Sequence, residues 1–192
     1  MKTSIRRLGV ATALTLLAGS AAAHTGHGTH GFFAGLEHPL ALDHLLAMLA
    51  VGVWSALALQ GAQRAWGPVA FVGAMIVGAA LGVAGVQLPF VEQGIAASVV
   101  LFGLMLVFAR QLSPAAGFAL IAVSAALHGL AHGAEIPSGA TFAAYAAGFV
   151  GTTVALHLGG LALGVQLQRV RRLAWPVGTL VSGAGLALLA RL

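Results

Sequence analysis

The sequence predicts an all-α polytopic membrane protein: a bundle of six transmembrane helices behind a cleaved signal peptide. Three observations carry that expectation. Only 7% of the 192 residues are charged and 59% are hydrophobic, whereas a soluble domain carries about 25% charged residues. Apolar runs of about 20 residues, enough to cross a bilayer as a helix, recur along the chain. The chain also opens on a secretory signal. Its basic start is Lys2, Arg6 and Arg7, its short apolar core is residues 8–18, and Ala21-Ala22-Ala23 is a small-residue cleavage site. An uncleaved first helix is the alternative, but the core is short for a span. Residues 1–23 are therefore read as signal peptide, 24–37 as a His-rich periplasmic leader and 38–192 as the six-helix domain.

The six apolar segments fall near 39–60, 67–86, 93–111, 114–133, 140–166 and 174–191. Pro39, Pro68, Pro114 and Pro176 lie near their starts, where a missing N–H costs nothing. Glycine is abundant, with 27 residues, and it recurs at small-xxx-small spacing: Gly78 and Gly82, Gly129 and Gly133, Gly160 and Gly164. That spacing lets helix backbones approach closely in a bilayer.

Charge gives the direction. With His24 outside the cytoplasm, the first span runs inward, and Arg64, Arg110, Arg169, Arg171 and Arg172 all fall on the cytoplasmic side. This agrees with the positive-inside rule. Glu37, Asp43, Glu92 and Glu135, which are all of the acids, fall at or near the outer face. The sequence pI near 11.5 does not indicate nucleic acid as a partner, because the basic residues are scattered at helix ends rather than gathered in a patch. There are no cysteines, hence no disulfides and no thiolate metal sites.

Ionisable residues within an apolar bundle are functional by default. In HPLALDHLLAMLAVGVW, residues 38–54, Asp43 and His44 sit about one turn inside the first span. On a continuous helix His38 and His44 point about 120° apart. A break before Pro39 frees His38 to turn back toward Asp43 and His44. Met48, one turn below His44, is either core packing or a soft station. The fourth segment carries HGLAHGAE, with His128 and His132 at i and i+4 and Glu135 on the same stripe, all within about 40°. Histidines at that spacing chelate metals on helices, although the His-Glu-x-x-His pattern is absent. His157 in the fifth segment is alone: it is either a hydrogen-bonded packing element or a deeper station. The leader HTGHGTH offers His24, His27 and His30 for metal capture, or is a plain polar lead-in. If the first and fourth segments share an ion, Asp43 or His44 must lie close to His128 or His132, in a cavity opening outward. His157 is then expected deeper, on a helix lining that cavity.

Imidazole with carboxylate suits nickel, cobalt, zinc, iron(II) or copper(II). Calcium and magnesium want more oxygen ligands, and copper(I) wants Cys or several Met. The ligand types leave the choice open.

HPLALDHLLAMLAVGVW resembles the signature of the HupE/UreJ family, and LHGLAHGAE and GTTVALHLGG resemble that family's other polar blocks. The resemblance covers essentially the whole mature chain. Its His-x4-Asp-His element is also similar to the signature of the larger nickel/cobalt transporter family. The resemblance implies a nickel or cobalt permease that serves hydrogenase or urease maturation proteins. It further implies His38, Asp43 and His44 as first ligands, with His128, His132 and Glu135 as their partners. Ala41 stands where the family usually has Gly. No prosthetic group is expected, the ion being cargo, and no nucleotide motif is present. The expectation is a non-enzymatic Ni2+ importer of a bacterial inner membrane. The alternative is an intramembrane hydrolase with a His/Asp zinc site, in which Asp43 or Glu135 would activate water.

Overall fold

The computed structural model describes residues 31–134 and 142–192. The signal peptide, the leader histidines His24, His27 and His30, and Glu135 lie outside the described residues. The helices are α1 (Phe32–Glu37), α2 (Leu42–Ala58), α3 (Trp66–Val83), α4 (Val91–Val107), α5 (Pro114–Ala134), α6 (Phe142–Arg169) and α7 (Ala174–Leu189), and no strand occurs among the described residues.

The six long helices coincide with the six expected segments to within a few residues. Three stretches, residues 61–83, 114–134 and 143–169, are long and apolar enough to cross a membrane, and α1 with α2 forms a fourth candidate as one bent pair. Helices α4 and α7 are apolar but shorter, at 17 and 16 residues. At 1.5 Å per residue they rise about 25 Å, a little under the ~30 Å hydrocarbon thickness. The outward faces are apolar too: Leu180 is 75% exposed and Val123 65%. Exposed apolar surface on this scale marks contact with lipid rather than water. These apolar helices are consistent with a multi-pass membrane protein.

One expectation is corrected at the head of the first span. The chain does not start a helix at residue 39, nor does it break before Pro39. It runs from α1 through a tight helical turn, His38–Leu40, and breaks at Ala41, with a 75° bend between the two segments. Proline lacks an N–H but fits the first positions of a helical turn, so Pro39 is accommodated. Ala41 is the residue that leaves the helix, at φ −57° and ψ 144°. Its carbonyl accepts the Leu45 N–H at 2.8 Å and so opens α2. That conformation suits any residue, so alanine in place of the family's glycine carries no backbone cost.

Glycine sets the helix pairs. Gly78 and Gly82 of α3 rest on the backbone of Ala126 and Leu130, while Gly129 and Gly133 of α5 rest on the carbonyls of Met75 and Ala79. The contacts climb both helices together, so α3 and α5 run parallel. Likewise Gly160 and Gly164 of α6 meet Leu49 and Val53 of α2, and this pair is also parallel. Gly103 of α4 meets Gly178 and Ser182, and Gly185 meets Val100, so α4 and α7 run antiparallel. These directions are those of six helices alternating strictly. Short α1 lies on the early turns of α6: Thr152 Oγ1 donates to the Leu36 carbonyl at 2.9 Å, and Gly148 packs on Phe32.

Helix α2 runs through the middle. Met48, Val51 and Trp54 are fully buried, joined by Phe71, Phe102 and Ile121. Met48 thus belongs to the apolar core. At the other end of α2, Arg64 donates to the Leu59 carbonyl at 3.2 Å and to Gln168 Oε1 at 3.3 Å, and Gln168 donates to the Ala56 carbonyl at 2.5 Å. Side chains thus satisfy backbone carbonyls that the end of α2 leaves free.

Candidate metal centre

The bend at Ala41 and the parallel run of α5 decide where the histidines meet. His38 sits on the turn before the bend, and Asp43 and His44 open α2. His128 and His132 lie on the last two turns of α5. The ring centroids of His38 and His132 are 4.4 Å apart, those of His44 and His132 4.6 Å, and those of His44 and His128 4.7 Å. His38, His44 and His132 each bring one ring nitrogen within 4.8 Å of the others. Metal–imidazole bonds of about 2.0–2.1 Å hold two ligating nitrogens within about 4 Å, so a small contraction closes this set on one ion.

Ring nitrogens of His44, His128 and His132 are left without a hydrogen-bond partner. His132 is 3% exposed and both its ring nitrogens lack a hydrogen-bond partner. Nε2 of His44 and Nδ1 of His128 are also buried and unpartnered. Leaving such groups unpaired in an apolar interior costs roughly 1–3 kcal/mol each. A cation that accepts their lone pairs removes that cost.

Asp43 stands behind His44. Its Oδ1 accepts the His44 ring Nδ1–H at 2.6 Å and the His44 backbone N–H at 2.8 Å. A carboxylate on one nitrogen turns the other toward a metal and raises its basicity. In this geometry the Asp43 carboxylate is bonded to His44, and the group of three ring nitrogens within 4.8 Å of one another contains neither Asp43 nor His128.

Around the rings stands an aromatic wall that the sequence pattern did not single out. Phe149 of α6 lies 4.3 Å from the His132 ring and 6.2 Å from His38, and Tyr145 lies 6.3 Å from His38. His132 and Phe149 line an apolar cavity of about 390 Å³, with Met75, Ala79, Gly133 and Ala146. An aromatic residue within an apolar run carries no distinguishing spacing, so no sequence signal marks Phe149.

His157 sits elsewhere. Its Nδ1 donates to the Thr153 carbonyl at 2.7 Å, while Nε2 is buried and unpartnered. It does not line the His132 cavity. It lines a second apolar cavity of about 450 Å³ with Pro68, Val72 and Leu161. Helix α6 lines both. Phe71, fully buried, touches both histidine rings, its own ring 5.8 Å from that of His128 and 4.9 Å from that of His157. Phe71 was also invisible to sequence reasoning, for the same reason as Phe149.

An all-helical apolar bundle with histidines converging from two helices and the turn before one of them defines a class: helical membrane proteins with a histidine cluster able to hold a metal ion. Residues 12–188 match the family described as HupE / UreJ protein. The chain belongs to the HupE/UreJ family. It is also similar to Protein HupE of Rhizobium leguminosarum bv. viciae, 39% identical over 189 residues, covering 94% of this chain and 96% of that one. No solved structure matches.

Proposed function

We propose that this chain is a permease of a bacterial inner membrane, importing Ni2+ from periplasm to cytoplasm, with Co2+ as the second candidate cargo. It would supply hydrogenase or urease maturation. Family membership supports metal transport. The observation that carries the reading is the convergence of His38, His44 and His132 inside an apolar bundle, where Nε2 of His44 and both ring nitrogens of His132 are buried and unpartnered.

On this reading six spans follow a cleaved signal, and the mature N-terminus is periplasmic. The alternating helix directions and the arginine distribution support that topology. His24, His27 and His30 gather the ion from dilute solution. His38, His44, His128 and His132 receive it, with Glu135 as a further ligand and Asp43 behind His44. The ion then passes Phe71 to His157 and the second cavity. Ligating imidazole must be neutral, and protonation near its ordinary pKa of about 6.5 releases metal. Energy comes from an ion gradient, from nickel trapping in the cytoplasm or from a partner ATPase.

The test is nickel flux into liposomes containing the purified protein and a trapped indicator. Flux above that of empty liposomes is expected. No flux, together with hydrolysis of a lipid or peptide bond, would favour the hydrolytic alternative. Of the two bases named for that alternative, Asp43 already accepts the His44 Nδ1–H, and Glu135 lies outside the described residues.

A further inference from the structure

Ser98 belongs to α4, a helix with no histidine. Its hydroxyl oxygen lies 2.6 Å from the Ile95 carbonyl and 2.9 Å from Nε2 of His128. A hydroxyl has one proton to give, and a carbonyl oxygen can only accept. At 2.6 Å the proton therefore lies between Ser98 and Ile95. The hydroxyl meets His128 with a lone pair, and the His128 Nε2–H is the donor. In the neutral ring this leaves the lone pair on Nδ1. That nitrogen is fully buried and without a hydrogen-bond partner, in a ring whose centroid is 4.7 Å from that of His44.

We infer that Ser98 is a positioning residue: it fixes His128 as the Nε2–H tautomer, so that Nδ1 is the nitrogen that ligates the ion. The inference rests on the reading of the histidine cluster as a metal site. The same logic holds at His44, where Asp43 takes Nδ1–H and leaves Nε2. Ser98 and Asp43 thus do one job from two different helices, on opposite nitrogens of two adjacent rings. Without the Ser98 hydroxyl, the His128 Nε2–H has lost its acceptor in an apolar interior. The ring is then free to exchange tautomers or rotate, and its lone pair no longer has a fixed place. Loss of such outer partners typically weakens metal binding by about 10- to 100-fold.

Two measurements on the full chain in lipid nanodiscs test this. In metal-free protein labelled with 15N-histidine, His128 is assigned by the signals lost in His128→Gln. They are expected to show Nε2 protonated and Nδ1 bare. A ring protonated at Nδ1 overturns the inference whether or not the protein binds nickel. The second measurement is calorimetric titration with Ni2+, in a chain carrying His27→Ala and His30→Ala to silence the leader. Ser98→Ala is expected to weaken binding by about 10- to 100-fold. The same change added to His128→Gln is expected to do nothing further. Unchanged affinity in Ser98→Ala, or equal losses in both backgrounds, overturns the positioning role, because a packing defect acts regardless of His128. His44→Ala tests the metal-site reading separately. If it binds nickel like its parent, that reading falls, and the tautomer measurement alone decides the role of Ser98.

Discussion

The rings of His44 and His132 lie 4.6 Å apart although one opens α2 and the other ends α5. Neither helix alone gathers three ligands. The pairing exists because α2 and α5 present their histidines at the same end of the bundle. His44→Ala is therefore expected to abolish nickel accumulation in cells, and Asp43→Ala, which removes its partner, to reduce it sharply, while both proteins stay in the membrane. Radioactive nickel uptake, with immunoblotting of the membrane fraction, checks it. Normal uptake by a well-expressed Asp43→Ala protein would sink the proposed path.

Asp43→Asn separates orientation from charge. The amide keeps an oxygen for the His44 Nδ1–H but removes the carboxylate. Nickel affinity is expected to fall by about 10- to 100-fold, as for other outer-partner losses, rather than vanish. Titration of the purified variant measures it. A loss as complete as that of His44→Ala would instead show Asp43 to be a direct ligand.

A third expectation concerns the glycine contacts. A Cβ at Gly78 runs into the Ala126 backbone, whereas one at Gly183 meets nothing within 4 Å. Gly78→Ala is expected to cost about 1–3 kcal/mol, the range for overpacking. Gly183→Ala is expected to be neutral or to stabilise by up to about 1 kcal/mol through helix propensity. Thermal unfolding in detergent compares them. Equal stability of the two variants would mean that α3 and α5 part without cost.

Much of this was legible in the sequence. The helix positions followed from apolar runs, and the close pairs followed from Gly78, Gly82, Gly129, Gly133, Gly160 and Gly164. Polar residues in an apolar setting stand out, so His38, Asp43, His44, His128 and His132 could be picked out without a structure. What spacing could not give was the division of labour. His44 and its neighbour Asp43 look alike as candidates until the 2.6 Å bond puts the carboxylate behind the ring. Ser98 was missed because a serine in a membrane helix ordinarily bonds its own helix's carbonyls, as it does here to Ile95. Its second bond, to His128, depends on which helix lies opposite. Phe71 and Phe149 are indistinguishable from filler until their neighbours are known. The bend was expected one proline too early, because a proline can sit inside a helical turn as well as end one.

The leader is expected to matter only when nickel is scarce. Tethered histidines raise local concentration without forming the path. His27→Ala with His30→Ala should reduce uptake at limiting nickel and leave it unchanged at abundant nickel. A complete block at abundant nickel would place these histidines in the core site.

His157→Ala is expected to leave nickel binding at the four-histidine cluster intact and to slow passage. His132 and His157 line different cavities, and the proposed path gives them successive events. Equilibrium titration and liposome flux, run side by side, distinguish the effects. Loss of binding in His157→Ala would merge the two cavities into one site.

The 75° elbow at Ala41 has a mechanical meaning. His38 rides on one arm, His44 on the other, and His132 belongs to a third body. An ion gripped by all three is a rivet through the joint, added to the packing and the Thr152–Leu36 hydrogen bond that already hold its first arm. Cargo should therefore stiffen its own carrier. By mass action, nickel at 100 times its Kd adds about 2.7 kcal/mol to the folded state. Amide exchange at Leu42 and Asp43, just past the elbow, should slow in step.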